Sequence, residues 1–294
     1  MRLSANRVLS YVLGGVALVG ALALAQQPAK SQTAAKPALY NTAKAKLFSG
    51  KQIFSFTQDT FDPKGYCEKA KHYDYTWFEM QHSILEFRDI RDMIAACPHA
   101  GASPFIRLPD AQEWHIQHAT DIGALGVIVP TVDDVARSRD AAQWSHYPPM
   151  GRRSAGAGLA ATVWGTNNLG IPFRTYYRQS INDNILCVVM IETPTGVANA
   201  YDIAAVPGVD VVIIGNNDMS SFSGYPQTDE KYHDLIAKVH DEVLKAGKIF
   251  GQANFHYATG PYSKDSYFFQ GGPSNDGWAP PKGEENGVPK NEEN

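Results

Sequence analysis

Little in this chain points to nucleic acid, a disulfide scaffold or a thiolate metal centre. Its 294 residues carry 26 Lys and Arg against 30 Asp and Glu, a formal net charge of -4, so no basic field is available to draw polyanions. The 3 cysteines, Cys67, Cys97 and Cys187, are few, odd in number and widely spaced, a poor disulfide framework. Cys187 lies inside an apolar run and reads as a core residue. Cys67 and Cys97 fall on neighbouring predicted helices and could pair in an oxidising compartment. No glycine-rich phosphate fingerprint follows the first predicted strand, which removes the main signature of a dinucleotide fold. Long apolar runs are also scarce. The stretch from Val8 to Ala25 approaches the ~18 residues that can cross a bilayer.

That stretch follows Arg2 and Arg7 and ends in Ala23-Leu24-Ala25 before Gln26, the order of a secretory signal peptide over residues 1–25. No cysteine follows the small residues, and the two arginines stand too far apart for a twin-Arg signal. An uncleaved anchor is the alternative; the Gly and Ala content favours cleavage. The expectation is an exported protein, periplasmic or secreted. Residues 26–40 read as a Pro-, Lys- and Gln-rich linker and 279–294 as a polar tail, with the catalytic domain between them, over 41–278.

Within 41–278 strands and helices alternate. Strands are predicted at Gln52–Thr57, Tyr75–Glu79, Pro104–Leu108, Leu125–Val129, Ile185–Ile191, Val209–Ile214, Ile249–Asn254 and Tyr267–Gln270. Several are apolar on both faces, as parallel strands covered by helices must be. Ser83 with Glu86 suggests a capping box that opens a helix carrying Ile84, Phe87, Ile90 and Ile94 on one face. Asp110 is expected to cap the next helix, and Gly247 to close the amphipathic helix of Asp229–Ala246. The segment Pro148–Pro172, rich in Gly and Asn, interrupts the rhythm, and the last crossover is too short for a full helix. About eight βα units over this length imply a (β/α)8 TIM barrel, with an open doubly wound sheet as the alternative.

Strands of a barrel deliver their C-terminal residues to one mouth. In chain order these are Glu79 and His82, Arg107, Pro130, Glu192, Asp218, then Asn254 or His256. Taken singly, each has an ordinary reading: Glu192 and Asp218 as helix caps, His82 as a surface residue, Arg107 as a salt-bridge partner. Together they supply oxygen ligands for a hard divalent ion, a proton carrier that titrates near neutrality, and a fixed cation for a developing oxyanion. His115 and His118 stand at helical spacing and read as solvated.

The segments Met190-Ile191-Glu192-Thr193 and Ile214-Gly215-Asn216-Asn217-Asp218-Met219-Ser220 resemble the paired metal motifs of the HpcH/HpaI aldolase family, the metal-dependent pyruvate aldolases. The resemblance extends to Phe78-Glu79-Met80-Gln81-His82, Ile106-Arg107-Leu108-Pro109, Asp121-Ile122-Gly123-Ala124 and Tyr147-Pro148-Pro149-Met150-Gly151-Arg152-Arg153, all in family order. It implies a (β/α)8 barrel that makes or breaks a C–C bond through a pyruvate enolate, and a homo-oligomer, usually a hexamer. By resemblance Glu192 and Asp218 hold Mg²⁺ or Mn²⁺, Arg107 donates to the keto acid's carbonyl oxygen, and His82 moves the proton with Glu79 orienting it. The backbone around Gly215, Asn216 and Asn217 cradles the substrate carboxylate, Arg153 also binds substrate, and Asp121 reaches a neighbouring subunit's site. The implied partner is a small 2-keto acid or its aldol, with no nucleic acid. The chain departs from the family where Met80-Gln81 replaces Gly-Glu and Gly215-Asn216-Asn217-Asp218 replaces Gly-Pro-x-Asp. These departures keep two alternatives open: a lyase or hydrolase with a non-pyruvate substrate, and a non-catalytic exported carboxylate-binding protein.

Overall fold

Eight short strands, each followed by chain that returns to the opposite end, close on themselves: β1 (Ile53–Gln58), β2 (Tyr75–Glu79), β3 (Ser103–Arg107), β4 (Gly126–Val129), β5 (Leu186–Ile191), β6 (Val211–Ile214), β7 (Ile249–Gln252) and β8 (Ser266–Phe269). Every neighbouring pair is parallel, and β8 pairs with β1, so the sheet is a closed barrel in sequence order. The protein is thus a (β/α)8 barrel. The computed structural model describes residues 39–156, 158–164, 173–254 and 262–279. The expected signal peptide over residues 1–25, most of the expected linker, the tail beyond 279 and His256 lie outside the described residues.

The helices are α1 (Thr42–Phe48), α2 (Pro63–Lys69), α3 (Phe87–Ala96), α4 (Glu113–Asp121), α5 (Val135–Ser145) and α6 (Gly158–Val163). They continue with α7 (Phe173–Asn184), α8 (Pro194–Ala198), α9 (Ala200–Ala204), α10 (Asn216–Ser223) and α11 (Glu230–Lys245). Among the described residues no helix is long and apolar enough to cross a membrane.

Alternate residues of each strand divide two cores. Tyr75, Trp77, Phe105, Ile128, Val188, Met190, Ile213 and Phe268 fill the barrel interior. Phe78, Ile106, Val127, Val189, Ile191 and Val212 face outward beneath the helices. Burying a side chain of this size stabilises the fold by roughly 1.5–3 kcal/mol. Inside, the Tyr75 ring lies 4.7 Å from Phe105 and 4.8 Å from Phe268. Gly126 makes room for this layer: a Cβ there would stand 2.5 Å from the Phe105 ring. Gly126→Ala would therefore drive a methyl into the interior.

Several helix starts differ from expectation. Ser83 is not an N-cap; its hydroxyl donates to the Glu79 carbonyl and accepts from the Leu85 N–H at 3.1 Å. Helix α3 begins at Phe87 behind Glu86, whose N–H donates to the Asp89 carboxylate at 3.0 Å, and Ile84 is 90 % exposed. The Ser83 hydroxyl is used instead to hold the loop after β2 close to the mouth. Likewise Asp110 precedes the cap of α4, which is Gln112, and accepts the Gln112 N–H at 2.9 Å. Asp229 is the N-cap of α11, and Gly247 adopts φ 71° beyond its end, as expected.

Two features tie down the periphery. Cys67 of α2 and Cys97 at the end of α3 form a disulfide with Cα atoms 5.8 Å apart, closing a loop of sequence separation 30. A loop of that size is worth about 3–4 kcal/mol in the chain-entropy account. Helix α1, absent from the sequence reading, plugs the N-terminal end of the barrel. Its N-cap Asn41 donates to the carbonyls of Leu125 at 3.0 Å and Asn184 at 2.7 Å. Lys44 donates to the Ile185 carbonyl at 2.5 Å and pairs with Asp210 at 3.7 Å.

Candidate active site

The inward face of each strand continues past its last apolar residue. Trp77 is followed two residues on by Glu79, Phe105 by Arg107, Met190 by Glu192 and Ile213 by Gly215. Period-two geometry therefore sends these residues to the C-terminal opening, above the apolar fill. A cavity of about 340 Å³ lies there, lined by all of them except the apolar layer below Met190, and by His82, Asn216, Asn217 and Asp218. A wider groove of about 790 Å³ runs outside the barrel between α4 and α5, but it contains neither the two acids of β5 and α10 nor Arg107. His118 lines that groove and its Nδ1 meets the Trp114 carbonyl at 2.6 Å, while His115 meets Asp110 at 2.5 Å. Both are engaged away from the mouth.

Glu79 is buried, and both of its oxygens are committed. Oε2 accepts from Arg107 Nε at 2.6 Å and Nη2 at 2.5 Å, and from Trp77 Nε1 at 3.0 Å. Oε1 accepts the backbone N–H groups of Gln81 at 2.8 Å and His82 at 3.0 Å. A charge-assisted fork of this kind fixes a guanidinium in one orientation. Glu79 thus holds Arg107 and the His82 backbone, where the sequence reading had it orienting the His82 ring. The Arg107 guanidinium also sits 5.5 Å from the Trp77 ring. His82 itself is exposed at the rim of the cavity.

Glu192 is fully buried, where a water-facing strand end was expected. Its Oε2 accepts from the Thr131 N–H at 2.6 Å and the Thr131 hydroxyl at 3.1 Å, while its buried Oε1 has no hydrogen-bond partner among the described residues. Thr131 adopts φ 50°, an uncommon backbone conformation for a β-branched residue. Gly215 is the cradle for the other oxygen: a Cβ there would stand 2.1 Å from Glu192 Oε1. Burial pushes the Glu192 carboxyl up to about 7, and the nearby Asp218 charge pushes the same way. Asp218 is half-buried in the first turn of α10, whose N-cap is Gly215.

This donor set fits a hard divalent cation. It offers two carboxylates, and one buried oxygen lacks a partner, which is costly unless something positive meets it. Among the described residues no group of three or more His, Cys, Asp and Glu forms a fuller cage. Two protein carboxylates, with water and substrate completing the shell, suit Mg²⁺-like ions. The Asn216 amide nitrogen is likewise buried without a partner among the described residues, while its carbonyl oxygen accepts from the Tyr232 hydroxyl at 2.7 Å.

Arg153, expected to bind substrate, is not brought to this mouth, and Asp121, expected at a neighbouring subunit's site, lies with it. Asp121 ends α4 at the opposite end of the barrel, and Arg153 pairs with it at 2.5 Å. Arg153 is buried 4.5 Å over the Tyr147 ring. Neither lines the cavity. Residues absent from the sequence reading do: Thr57 and Asp59 from β1 and its exit, and Gln270 beyond β8. Asp59 was accessible to the rule that found Glu192, an acid just past a strand. Thr131 was not, because nothing in a Pro-Thr-Val sequence announces a positive φ.

A closed (β/α)8 barrel with paired carboxylates and a clamped arginine at its C-terminal mouth defines a metal-assisted enzyme of the TIM-barrel class. Residues 66–274 match the HpcH/HpaI aldolase/citrate lyase family, and the chain belongs to it. It is 32% identical over 200 residues to a 2-dehydro-3,6-dideoxy-6-sulfogluconate aldolase of Pseudomonas putida, covering 68% of this chain and 74% of that one. It is 30% identical over 219 residues to a hydroxypyruvate/pyruvate aldolase of Roseovarius nubinhibens, covering 73% and 82%. Among solved structures, the HpcH/HpaI aldolase from Desulfitobacterium hafniense superimposes with a TM-score of 0.68 at 26% identity, covering 78% of this chain and 90% of that one. The chain is a carbon–carbon lyase of a family whose aldolases depend on divalent metal.

Proposed function

We propose that this protein is an exported aldolase that uses Mg²⁺ or Mn²⁺ to cleave or form the C–C bond between the α-carbon and the hydroxyl-bearing carbon of a 2-keto acid aldol, through a pyruvate-type enolate. The observation that carries the reading is Glu192, buried with one bare oxygen aimed past Gly215. Glu192 and Asp218 would hold the ion, which when bound supplies Lewis acidity at the keto acid's carbonyl oxygen. Arg107, with Nε and Nη2 taken by Glu79, presents its Nη1 edge to that oxygen as charge develops. Backbone N–H groups in the first turn of α10 receive the substrate carboxylate. His82, exposed at the rim, takes the proton from the carbon that becomes nucleophilic and returns it in the reverse direction.

The Cys67–Cys97 disulfide supports export, since such bonds persist in oxidising compartments. A homo-oligomer is part of the proposal: Asp121, half-exposed and paired with Arg153, lies at the end of the barrel away from its own mouth and would serve a neighbour's. The unpartnered Asn216 amide favours a second reading, in which the same platform acts on an acid other than pyruvate. Deuterium exchange of pyruvate's methyl protons, with Mn²⁺ and with chelator, separates these. Metal-dependent exchange is expected; its absence would move the assignment to the second reading.

A further inference from the structure

The cavity is asymmetric in charge. Among the described residues that line it are four carboxylates, Asp59, Glu79, Glu192 and Asp218, and one permanent cation, Arg107. Glu79 takes two of the three guanidinium nitrogens of Arg107, so one edge is left for ligand. Glu192 and Asp218 stand on β5 and α10, the pole assigned above to the keto acid. Around a closed ring of eight strands, β1 lies directly across from β5. The wall on that far side is made by Thr57, Asp59 and Gln270, with the Gln270 amide donating to the Thr57 hydroxyl at 3.2 Å.

This far wall faces whatever is joined to, or released from, the keto acid. Thr57 and Gln270 offer hydrogen-bonding groups and no charge; Asp59 offers a half-buried carboxylate. An aldehyde ending in carboxylate, sulfonate or phosphate would bring its charge against Asp59, on a wall where Thr57, Asp59 and Gln270 supply no cation. Like charges brought together in a cavity of restricted water repel strongly. A hydroxyl, by contrast, can donate to Asp59 in a charge-assisted bond and exchange bonds with Thr57 and Gln270. The volume of about 340 Å³ limits the whole ligand to a small molecule.

We infer that Thr57, Asp59 and Gln270 form the aldehyde subsite, and that Asp59 makes the enzyme selective for short, uncharged hydroxyaldehydes over anionic ones. The inference rests on the aldolase reading above and names the partner that reading left open. No redox or additional group enters: the bond that forms joins the enolate carbon to the aldehyde carbon, and the aldehyde oxygen takes up the proton.

The test uses the Mn²⁺-loaded full-length mature protein with pyruvate and one of four aldehydes: glycolaldehyde, glyceraldehyde, succinic semialdehyde or glyceraldehyde 3-phosphate. The readout is the ratio of kcat/KM for neutral over anionic aldehydes within one variant, so a general loss of activity cancels. Wild type is expected to favour the neutral pair by on the order of tenfold or more, the effect of about one lost polar contact. Asp59→Asn should shrink the ratio and Asp59→Lys should invert it. Wild type that uses anionic aldehydes equally well, or a ratio unmoved by Asp59→Lys in protein that is folded by circular dichroism, overturns the subsite. Methyl-proton exchange in wild type, with no condensation onto a neutral aldehyde, overturns it too while leaving the enolate reading in place. Absence of exchange removes both.

Discussion

The two ends of this barrel bury polar groups in opposite ways. At the N-terminal end α1 acts as a stopper, and its polar contacts close. Asn41 accepts the Lys44 N–H at 3.0 Å while bonding Leu125 and Asn184, and Lys46 pairs with Asp74 at 2.7 Å. Asp74 in turn accepts the Phe54 N–H at 2.9 Å, and Asp210 accepts that of Cys187 at 3.0 Å. At the C-terminal end Glu79 and Arg107 close in the same manner, but Glu192 is left with one bare oxygen and an uncommon backbone at Thr131. The contacts of α1 are satisfied and serve stability; the pair of β5 and α10 acids is left incomplete where a ligand is to be held. Strain and unmet hydrogen bonds concentrate where function requires them.

Substitutions can sharpen that contrast. The largest effect is expected at the mouth. His82→Ala should lower turnover by ~10²–10⁴-fold, the usual contribution of a general acid or base, or about 3–5 kcal/mol of barrier. Calorimetric Mn²⁺ titration should show binding nearly unchanged, and a large loss of affinity would exclude the proton-carrier role. At the stopper, Lys44→Met should destabilise the fold by about 3 kcal/mol, because it leaves Asp210 and the Ile185 carbonyl short of a buried partner. Urea unfolding reads this, and Mn²⁺ affinity should not move.

The next effect is a pH dependence of opposite sign to an ordinary salt bridge. The Glu192 carboxyl is raised from 4.5 to about 7 by burial and Asp218, so its ionised form destabilises the metal-free fold. Stability should therefore rise as pH falls from 8 through 7, levelling near 4.5, by up to on the order of 3 kcal/mol. Glu192→Gln should flatten that slope in the melting temperature of chelator-treated protein while abolishing Mn²⁺ binding. A slope that persists in the variant would assign it to another group. The smallest effect belongs to Thr131→Gly, which accepts φ 50° freely. It should gain about 1 kcal/mol of stability. It loses the hydroxyl that stands 3.1 Å from Glu192, so Mn²⁺ should bind more weakly. Unchanged affinity would mean the backbone N–H alone places Glu192.

Much of this could be read directly. Apolar runs ending in an acid located β5 and β6 with Glu192 and Asp218, and the same rule found Glu79 and Arg107. The rule missed Asp59 only because the first strand was ended one residue early, at Thr57. Helix α1 escaped because its 7 residues carry too short a pattern to show periodicity, and its burial comes from strands far along the chain. The resemblance implies a substrate-binding role for Arg153 and a place at a neighbouring subunit's site for Asp121; in the fold the two meet each other at the far end.

By itself the sequence determined the alternation of elements, hence the barrel, and which strand ends carry acid, guanidinium and imidazole. Those follow from local composition, since an apolar run must be buried and a charge at its end must leave the core. Only the tertiary structure decided that Glu192 is buried and half-satisfied, that Glu79 commits both oxygens to Arg107, Trp77 and the loop of His82, and that Asp59 shares one cavity with Glu192 and Asp218. Strands covered on both faces show no polar alternation, so their inward side is not written in the sequence. Closure of the ring sets which side chains share the cavity, and with it the partners and dielectric that give each carboxylate its role.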